Sequence, residues 1–295
     1  MGWATPFSPG IYGDFDGEAG VVYRCGDGVR WKQQEIDEGA VLTSVDFAGS
    51  AGWIAGLEGR VRHTADGGTN WQELTAGTSR DIYDIQALDA ESAIAVADDR
   101  QLGRYVIMRT ADAGASWATH PMDSPRDLLK RVSILGPSHV LVAGTRLLPT
   151  GKRGLLLEST DGGVTWSQRL LQSCTRTVRD MTFIDDSRGW ILASTGMMED
   201  RKSYTNYGTQ LLRTADGGVS WQTVSLGQVS ETGLYAVAFG DPSNGWLFGD
   251  KVLNTSDGGL TWRDTGAFLP SAALGQMFGG PVLRAAATVG GNLWA

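Results

Sequence analysis

Ser159-Thr160-Asp161-Gly162-Gly163-Val164-Thr165-Trp166 is one of five copies of a single phrase. The others are Thr64-Ala65-Asp66-Gly67-Gly68-Thr69-Asn70-Trp71, Thr110 to Trp117, Thr214 to Trp221 and Thr255 to Trp262. Asp before paired Gly reads as a turn, because the carboxylate accepts hydrogen bonds from amides just ahead and Gly tolerates positive φ. The Trp then opens the next strand and buries a ring of roughly 200 Å². On this reading Asp66, Asp112, Asp161, Asp216 and Asp257 lock hairpin turns, and Trp71, Trp117, Trp166, Trp221 and Trp262 fasten each unit to its neighbour. Catalysis or calcium binding is the competing role for these carboxylates, but five copies cannot all be one active site.

A second phrase precedes each box. It is clearest as Val45-Asp46-Phe47 before Gly52-Trp53-Ile54-Ala55-Gly56, as Met181-Thr182-Phe183 before Gly189-Trp190, and as Val237-Ala238-Phe239 before Gly245-Trp246. β-branched and aromatic runs around a Gly, Asp and Ser turn read as strand, turn, strand. A third strand runs into the box, as in Leu155-Leu156-Leu157-Glu158, and the box Trp opens a fourth. Four antiparallel strands per unit make a propeller blade. Box Trp residues at 71, 117, 166, 221 and 262 give steps of 46, 49, 55 and 41 residues, close to the roughly 40–50 residues of such a blade. Degenerate boxes at Gly26 to Trp31 and Val289 to Trp294 flank the series. The expected fold is all-β: a single propeller over residues 1–295, of seven blades, or six if the terminal segments combine into one. Strands are expected around Ile11, Val21 to Tyr23 and Trp31. The two termini should meet, since closing the ring removes exposed sheet edges.

Composition agrees. The chain has 295 residues, 41% hydrophobic, with 41 Gly and 11 Trp. No apolar run is long enough to span a membrane. The start Met1-Gly2-Trp3-Ala4 carries no signal-peptide pattern. Cys25 and Cys174 fall in separate repeats without metal-ligand spacing, and are expected to be free, half-buried thiols. No metal or cofactor site is expected.

Formal net charge is −8, yet the basic residues are uneven. In a meander blade, the turn between strands two and three shares a face with the link to the next blade. Three insertions fall in those turns: 98–104, 146–154 and 196–208. They carry Arg100, Arg104, Arg146, Lys152, Arg153, Arg201 and Lys202, and the adjoining links add Arg80, Arg126, Lys130, Arg131, Arg176 and Arg179. One face of three adjacent blades is therefore expected to be basic, a docking surface for a partner protein with an acidic surface. The competing reading pairs the charges locally, as Arg80–Asp81, Arg126–Asp127 and Arg179–Asp180. Nucleic acid is not the expected partner, because basic residues are not interleaved with aromatics as single-strand binders require. The loop from Met197 to Tyr207, with two Met and two Tyr, has the composition of a contact segment. His63, His120 and His139 sit at different heights on different blades, and no phosphate loop, HExxH or GxSxG phrase occurs.

Ser/Thr-x-Asp-x-Gly-x-x-Trp resembles the Asp-box, or BNR repeat, shared by sialidases, family 74 xyloglucanases and sortilin-type receptors. Phe239-Gly240-Asp241, Gly245-Trp246 and Thr255 to Trp262 together resemble the repeat of the Ycf48/HCF136-like photosystem II assembly factors. The likeness covers nearly the whole chain. It implies a propeller that is not an enzyme and binds proteins as a scaffold or assembly factor, with a membrane-complex or photosynthetic subunit as partner and an extracytoplasmic location. A sialidase would show an arginine triad, a Tyr–Glu nucleophile pair and an Arg-Ile-Pro phrase, and a family 74 enzyme a second propeller; neither set is visible. A carbohydrate-binding or hydrolysing propeller and a permanent structural subunit are the two alternatives.

Overall fold

The computed structural model describes residues 2–4, 6–7, 20–25, 31–37, 40–76, 81–99, 103–194, 208–226, 234–249, 251–266, 282–283, 287–289 and 292–294; for 2–7, 23–25, 31, 235 and 282 onward this is the backbone course alone. Five four-stranded antiparallel meanders follow one another. Sheet I comprises Leu42–Ala48, Ala51–Gly56, Arg60–Thr64 and Gln72–Thr75. Sheet II comprises Asp81–Ala87, Ala93–Asp99, Arg104–Thr110 and Ala118–Pro121. Sheet III comprises Asp127–Ile134, Val140–Leu148, Gly151–Ser159 and Ser167–Leu171. Sheet IV comprises Thr177–Phe183, Gly189–Ser194, Thr209–Thr214 and Gln222–Val224. Sheet V comprises Leu234–Phe239, Gly245–Gly249, Val252–Thr255 and Arg263–Asp264. This is the expected propeller of four-stranded blades.

Burial follows strand order. Second strands such as Ala51–Gly56 are buried at every residue, whereas the fourth strand Ala118–Pro121 is exposed throughout. A strand covered on both faces has no polar side, which is why these stretches read as unbroken apolar runs. The cover comes from the neighbouring sheets. Trp53, Ala55 and Val61 of sheet I pack with Ile82, Ile85 and Met108 of sheet II. Ile94 and Val96 of sheet II pack with Leu129, Val132 and Val142 of sheet III. Trp190 of sheet IV stacks on Phe239 of sheet V, centroids 3.5 Å apart at 11°. The core is thus a series of layers between sheets.

The Phe and Gly-Trp phrases meet across each first hairpin. Phe47 pairs with Gly52, Phe183 with Gly189 and Phe239 with Gly245. A Cβ at any of these glycines would lie within about 2.5 Å of the opposing ring, so the missing side chain makes room for the aromatic.

The boxes are hydrogen-bonded as their composition dictates. Asp161 Oδ1 accepts from the Val164 and Thr165 amides at 3.0 and 2.9 Å and from Ser159 Oγ at 2.8 Å, and Oδ2 accepts from Thr165 Oγ1 at 2.6 Å. Asp66, Asp112, Asp216 and Asp257 repeat the pattern. The first box Gly then bonds back to the first hairpin of its own sheet, as Gly162 N to Ser138 O at 2.9 Å. The second meets the preceding sheet: a Cβ on Gly259, at φ +82°, would lie 2.8 Å from Trp190 Nε1. The box Trp sits one residue before the fourth strand, and Trp71, Trp117, Trp221 and Trp262 each meet an aromatic edge to face, as Phe183–Trp221 does at 6.0 Å and 88°. Sheet II departs from the pattern: Ala113 stands where the other boxes have Gly, and holds φ +54°.

Side chains also tie each sheet to the next. Gln34 donates to Gly68 O at 3.1 Å and Arg109 to Gly162 O at 2.9 Å, while Arg169 donates to Gly218 O. Near the inner strands, Asp46 Oδ2 accepts from the Ala87 amide, Asp84 Oδ2 from the Val132 amide and Asp180 Oδ2 from the Val237 amide, each at 2.9 Å.

Gly2–Ala4, Val21–Cys25 and Trp31–Glu35 form a three-stranded sheet that packs through Val22 on Leu42 and Ile54 of sheet I. The strand expected around Ile11 lies outside the described residues. Pro6–Phe7 pairs with Val282–Leu283, so a segment near each terminus shares one ladder. Cys174 is a free thiol and fully buried, not half-buried, with its pKa raised by burial; the Cys25 side chain lies outside the described residues. No helix among the described residues is long and apolar enough to cross a membrane.

Bonds from Thr165 and Ser159 hold Asp161 at about 2, and Asp216 and Asp257 lie there for the same reason. Stability is therefore lost as pH falls below about 4 toward 2. Burial instead pushes Asp46 up to about 6, against the Ala87 and Phe47 amides. Its protonated form is the one the fold favours, so stability also declines as pH rises from about 4 to 6, by about 3 kcal/mol. Chemical denaturation across pH should show the upper decline in the parent and its loss in Asp46→Asn. Ala113→Gly should stabilise by about 1 kcal/mol by removing a left-handed non-Gly residue, read as a higher denaturation midpoint at unchanged slope.

Candidate functional site

The turns between strands two and three meet the inter-sheet links on one face. Leu57 N bonds to Val41 O, Leu147 N to Arg126 O and Gly154 N to Cys174 O, each at 2.9 Å. Of the expected basic residues that are described, Arg126, Lys130, Lys152, Arg153, Arg176 and Arg179 lie on these links, these turns or the strand ends beside them and are at least half-exposed, and a recurrent irregularity re-aims two of them. Every first strand of sheets I to V has a bulge near its start, at Thr43, Tyr83, Lys130, Arg179 and Tyr235. A bulge re-aims a side chain that regular alternation would place elsewhere.

In sheets II, III and IV the bulged residues are Tyr83, Lys130 and Arg179, all half-exposed. Tyr83 stacks on Tyr105 with centroids 5.7 Å apart and donates to Asp98 Oδ2 at 3.2 Å. Lys130 Nζ lies 5.1 Å from the Tyr83 ring centroid. Burial, then the neighbouring tyrosine and Asp98, raises the Tyr83 pKa and keeps the phenol neutral. Arg179 Nε donates to Ser194 Oγ at 3.0 Å and Lys152 Nζ to Thr177 Oγ1 at 3.2 Å. Burial and then the Arg179 charge lower the Lys152 pKa, a mark of cations gathered on one surface.

The other expected residues divide into three groups. Arg126 is exposed, and Arg153 and Arg176 are half-exposed on the same face. Arg104 is half-exposed and donates to Met122 O at 3.2 Å. Arg80, Arg201 and Lys202 lie outside the described residues, as do Arg100 and the Met197–Tyr207 segment. Arg146 is engaged: its Nε and a terminal nitrogen grip Asp127, whose side chain is fully buried, at 2.5 and 2.6 Å. Arg131 is a correction. It was expected on the basic face, but it is 6% exposed, with Nε 2.7 Å from Asp180 Oδ1.

Local pairing is corrected too. Asp127 pairs with Arg146 rather than Arg126, and Asp180 with Arg131 rather than Arg179. Neighbours in a strand point to opposite faces, so an adjacent Arg and Asp diverge while a cross-strand or inter-sheet pair converges. The insertion at 146–154 is no loop: two nine-residue strands extend the hairpin to a tight turn at Pro149–Thr150. Sequence reasoning missed Tyr83, Tyr105 and Asp98, because the bulged residues stand one to three places after the start of their strands and share no side-chain type.

The histidines stand apart. His63 lies tilted at 47° against Trp53 within sheet I, ring centroids 4.4 Å apart, His120 lies exposed on the outer strand of sheet II, and His139 Nε2 lies 2.9 Å from Glu158 Oε1 in sheet III. No group of three or more His, Cys, Asp or Glu side chains among the described residues is placed to hold a metal ion.

Fold and site together define an Asp-box propeller with a charged, aromatic-lined face. Part of the chain is similar to the Ycf48 family: the family model described as "Photosynthesis system II assembly factor YCF48" matches residues 15–131. The photosystem II assembly lipoprotein Ycf48 of Synechococcus sp. (strain CC9902) is 28% identical over 259 residues, 72% of each chain. The chloroplastic photosystem II stability/assembly factor HCF136 of Arabidopsis thaliana is 24% identical over 262 residues, 73% of this chain and 63% of that protein. The match thus spans less than two thirds of HCF136. A solved structure of YCF48 bound to D1 peptide superposes with a TM-score of 0.58 at 21% identity, covering 83% of this chain and 74% of that one. A family 74 xyloglucanase of Xanthomonas campestris gives the same TM-score at 13% identity over 86% of this chain and 44% of its own, a likeness of fold alone.

Removing Arg146 would leave the Asp127 carboxylate buried without its cation. Arg146→Ala should therefore destabilise by about 3–5 kcal/mol, measured by denaturant melting. Lost binding in that variant would report on folding, not on docking.

Proposed function

We propose that the protein is a non-catalytic assembly or scaffold factor that docks a partner protein through the basic face of sheets II to IV. One observation carries the reading: Arg126, Lys130, Lys152, Arg153, Arg176 and Arg179 gather on that face, on a chain of formal net charge −8. Such a patch attracts and orients an acidic surface while the rest of the molecule repels it. Tyr83 and Tyr105 add amphipathic contact area of the kind that anchors interfaces. The repeated carboxylates are occupied by hydrogen bonds of their own turns and the histidines lie on separate strands, which favours a binding role over catalysis. The assembly-factor names of the Ycf48 and HCF136 relatives point the same way, and we extend to this chain a photosystem II subunit as partner. The whole chain, 1–295, is read as one propeller domain.

The D1 peptide bound by the structural relative is the first probe. Fluorescence titration should show binding that weakens as salt rises. Arg126→Glu with Lys130→Glu should weaken it at least tenfold at an unchanged melting temperature. Equal affinity in parent and variant would remove this face from consideration.

A further inference from the structure

Among the described members of the expected basic set, Arg131 alone is withdrawn from solvent, and its surroundings give it a different task. It follows the bulged residue Lys130 directly, as Asp84 follows Tyr83 and Asp180 follows Arg179. Those three post-bulge residues are all buried, and they form the middle of one belt. Ser44 Oγ of sheet I donates to Asp84 Oδ1 at 2.8 Å, and the Val132 amide of sheet III donates to Asp84 Oδ2 at 2.9 Å. Arg131 Nε donates to Asp180 Oδ1 at 2.7 Å, and the Val237 amide of sheet V donates to Asp180 Oδ2 at 2.9 Å. Arg131 also donates from a terminal nitrogen to the Lys130 carbonyl at 3.2 Å, holding the peptide of the bulge itself.

We propose that Arg131 is a positioning residue for the docking face: clamped against Asp180 and bonded to the Lys130 carbonyl, it fixes the bulges that aim Tyr83, Lys130 and Arg179 outward. The docking clause rests on the function proposed above. A bulge is an unpaired residue in a ladder and has no regular partner to hold its course. Here a buried guanidinium supplies one, with a planar fork that a lysine lacks. Asp180 then passes the constraint to sheets IV and V, and Asp84 passes it to sheets I and II. The spacing of three side chains on three sheets is thereby set by one rigid connection beneath them. Burial opposes the Arg131 charge, but Asp180 and Asp84 outweigh it and raise its pKa, so the clamp stays charged.

Arg131→Lys tests the clamp while keeping a cation. Because that variant can fail to fold, Asp84→Asn/Arg131→Met/Asp180→Asn serves beside it; replacing a buried ion triad by neutral groups of similar volume is often tolerated. Amide hydrogen exchange should quicken at least tenfold at residues 83–84, 130–132 and 179–180 and stay at parental rates in the box at Val164 and Thr165. The Kd for the D1 peptide should rise at least tenfold with no change in the slope of log Kd against log salt, since every surface cation remains. Lys130→Glu should change that slope. Parental exchange at the bulges in a folded variant overturns the proposal. So does faster bulge exchange with undiminished binding, provided Lys130→Glu does weaken binding. If Lys130→Glu leaves binding intact, the docking reading itself fails, and the exchange data alone decide whether Arg131 holds the bulges.

Discussion

A carboxylate can accept about four hydrogen bonds, and here the chain supplies the donors itself. That saturation is the constraint on which the rest depends. At the outer rim, Asp66, Asp112, Asp161, Asp216 and Asp257 each close the turn between third and fourth strands with nearby amides and hydroxyls. Near the inner strands, Asp46, Asp84 and Asp180 instead reach across a gap, each taking an amide from another sheet. One set gives each sheet its shape; the other fixes sheet to sheet. Apolar layers contribute most of the burial, but apolar contact is non-directional. The aspartates supply register.

This division explains why the face opposite the boxes can carry charge. Turn carboxylates on the box side are occupied by their own loops, and bulges lie at the other end of the first strands. In sheets II, III and IV a bulge near the strand start turns one side chain outward without disturbing the buried alternation after it, whereas the bulged Thr43 of sheet I is buried and donates to Ile82 O. Tyr83, Lys130 and Arg179 therefore sit side by side through regular repetition of a local defect. Their chemistry differs while their placement is the same, which is how a repeat fold accommodates a specific surface.

The architecture was legible because its determinants are local. A box states its own turn, the Phe and Gly-Trp phrases state a cross-strand fit, and even spacing states repetition. Arg131 and Arg146 were not legible, because their partners are set by alternation and by inter-sheet contact. Asp127 lies next to Arg126 in sequence but bonds Arg146, and Asp180 lies next to Arg179 but bonds Arg131. Bulges left no composition mark, since Thr43, Tyr83, Lys130 and Arg179 share no side-chain type. The tyrosine pair was lost for the same reason: Tyr83 and Tyr105 meet only when the first and third strands of sheet II fold onto either side of the second.

Carbon-13 titration of the side-chain carboxyls measures the saturation directly. Asp66, Asp161, Asp216 and Asp257 should titrate together at about 2, unmoved by any bound partner, because their acceptors are filled within their own turns. One or more of them titrating near 4, or shifting when a ligand binds, would show open carboxylates and contradict a purely structural box.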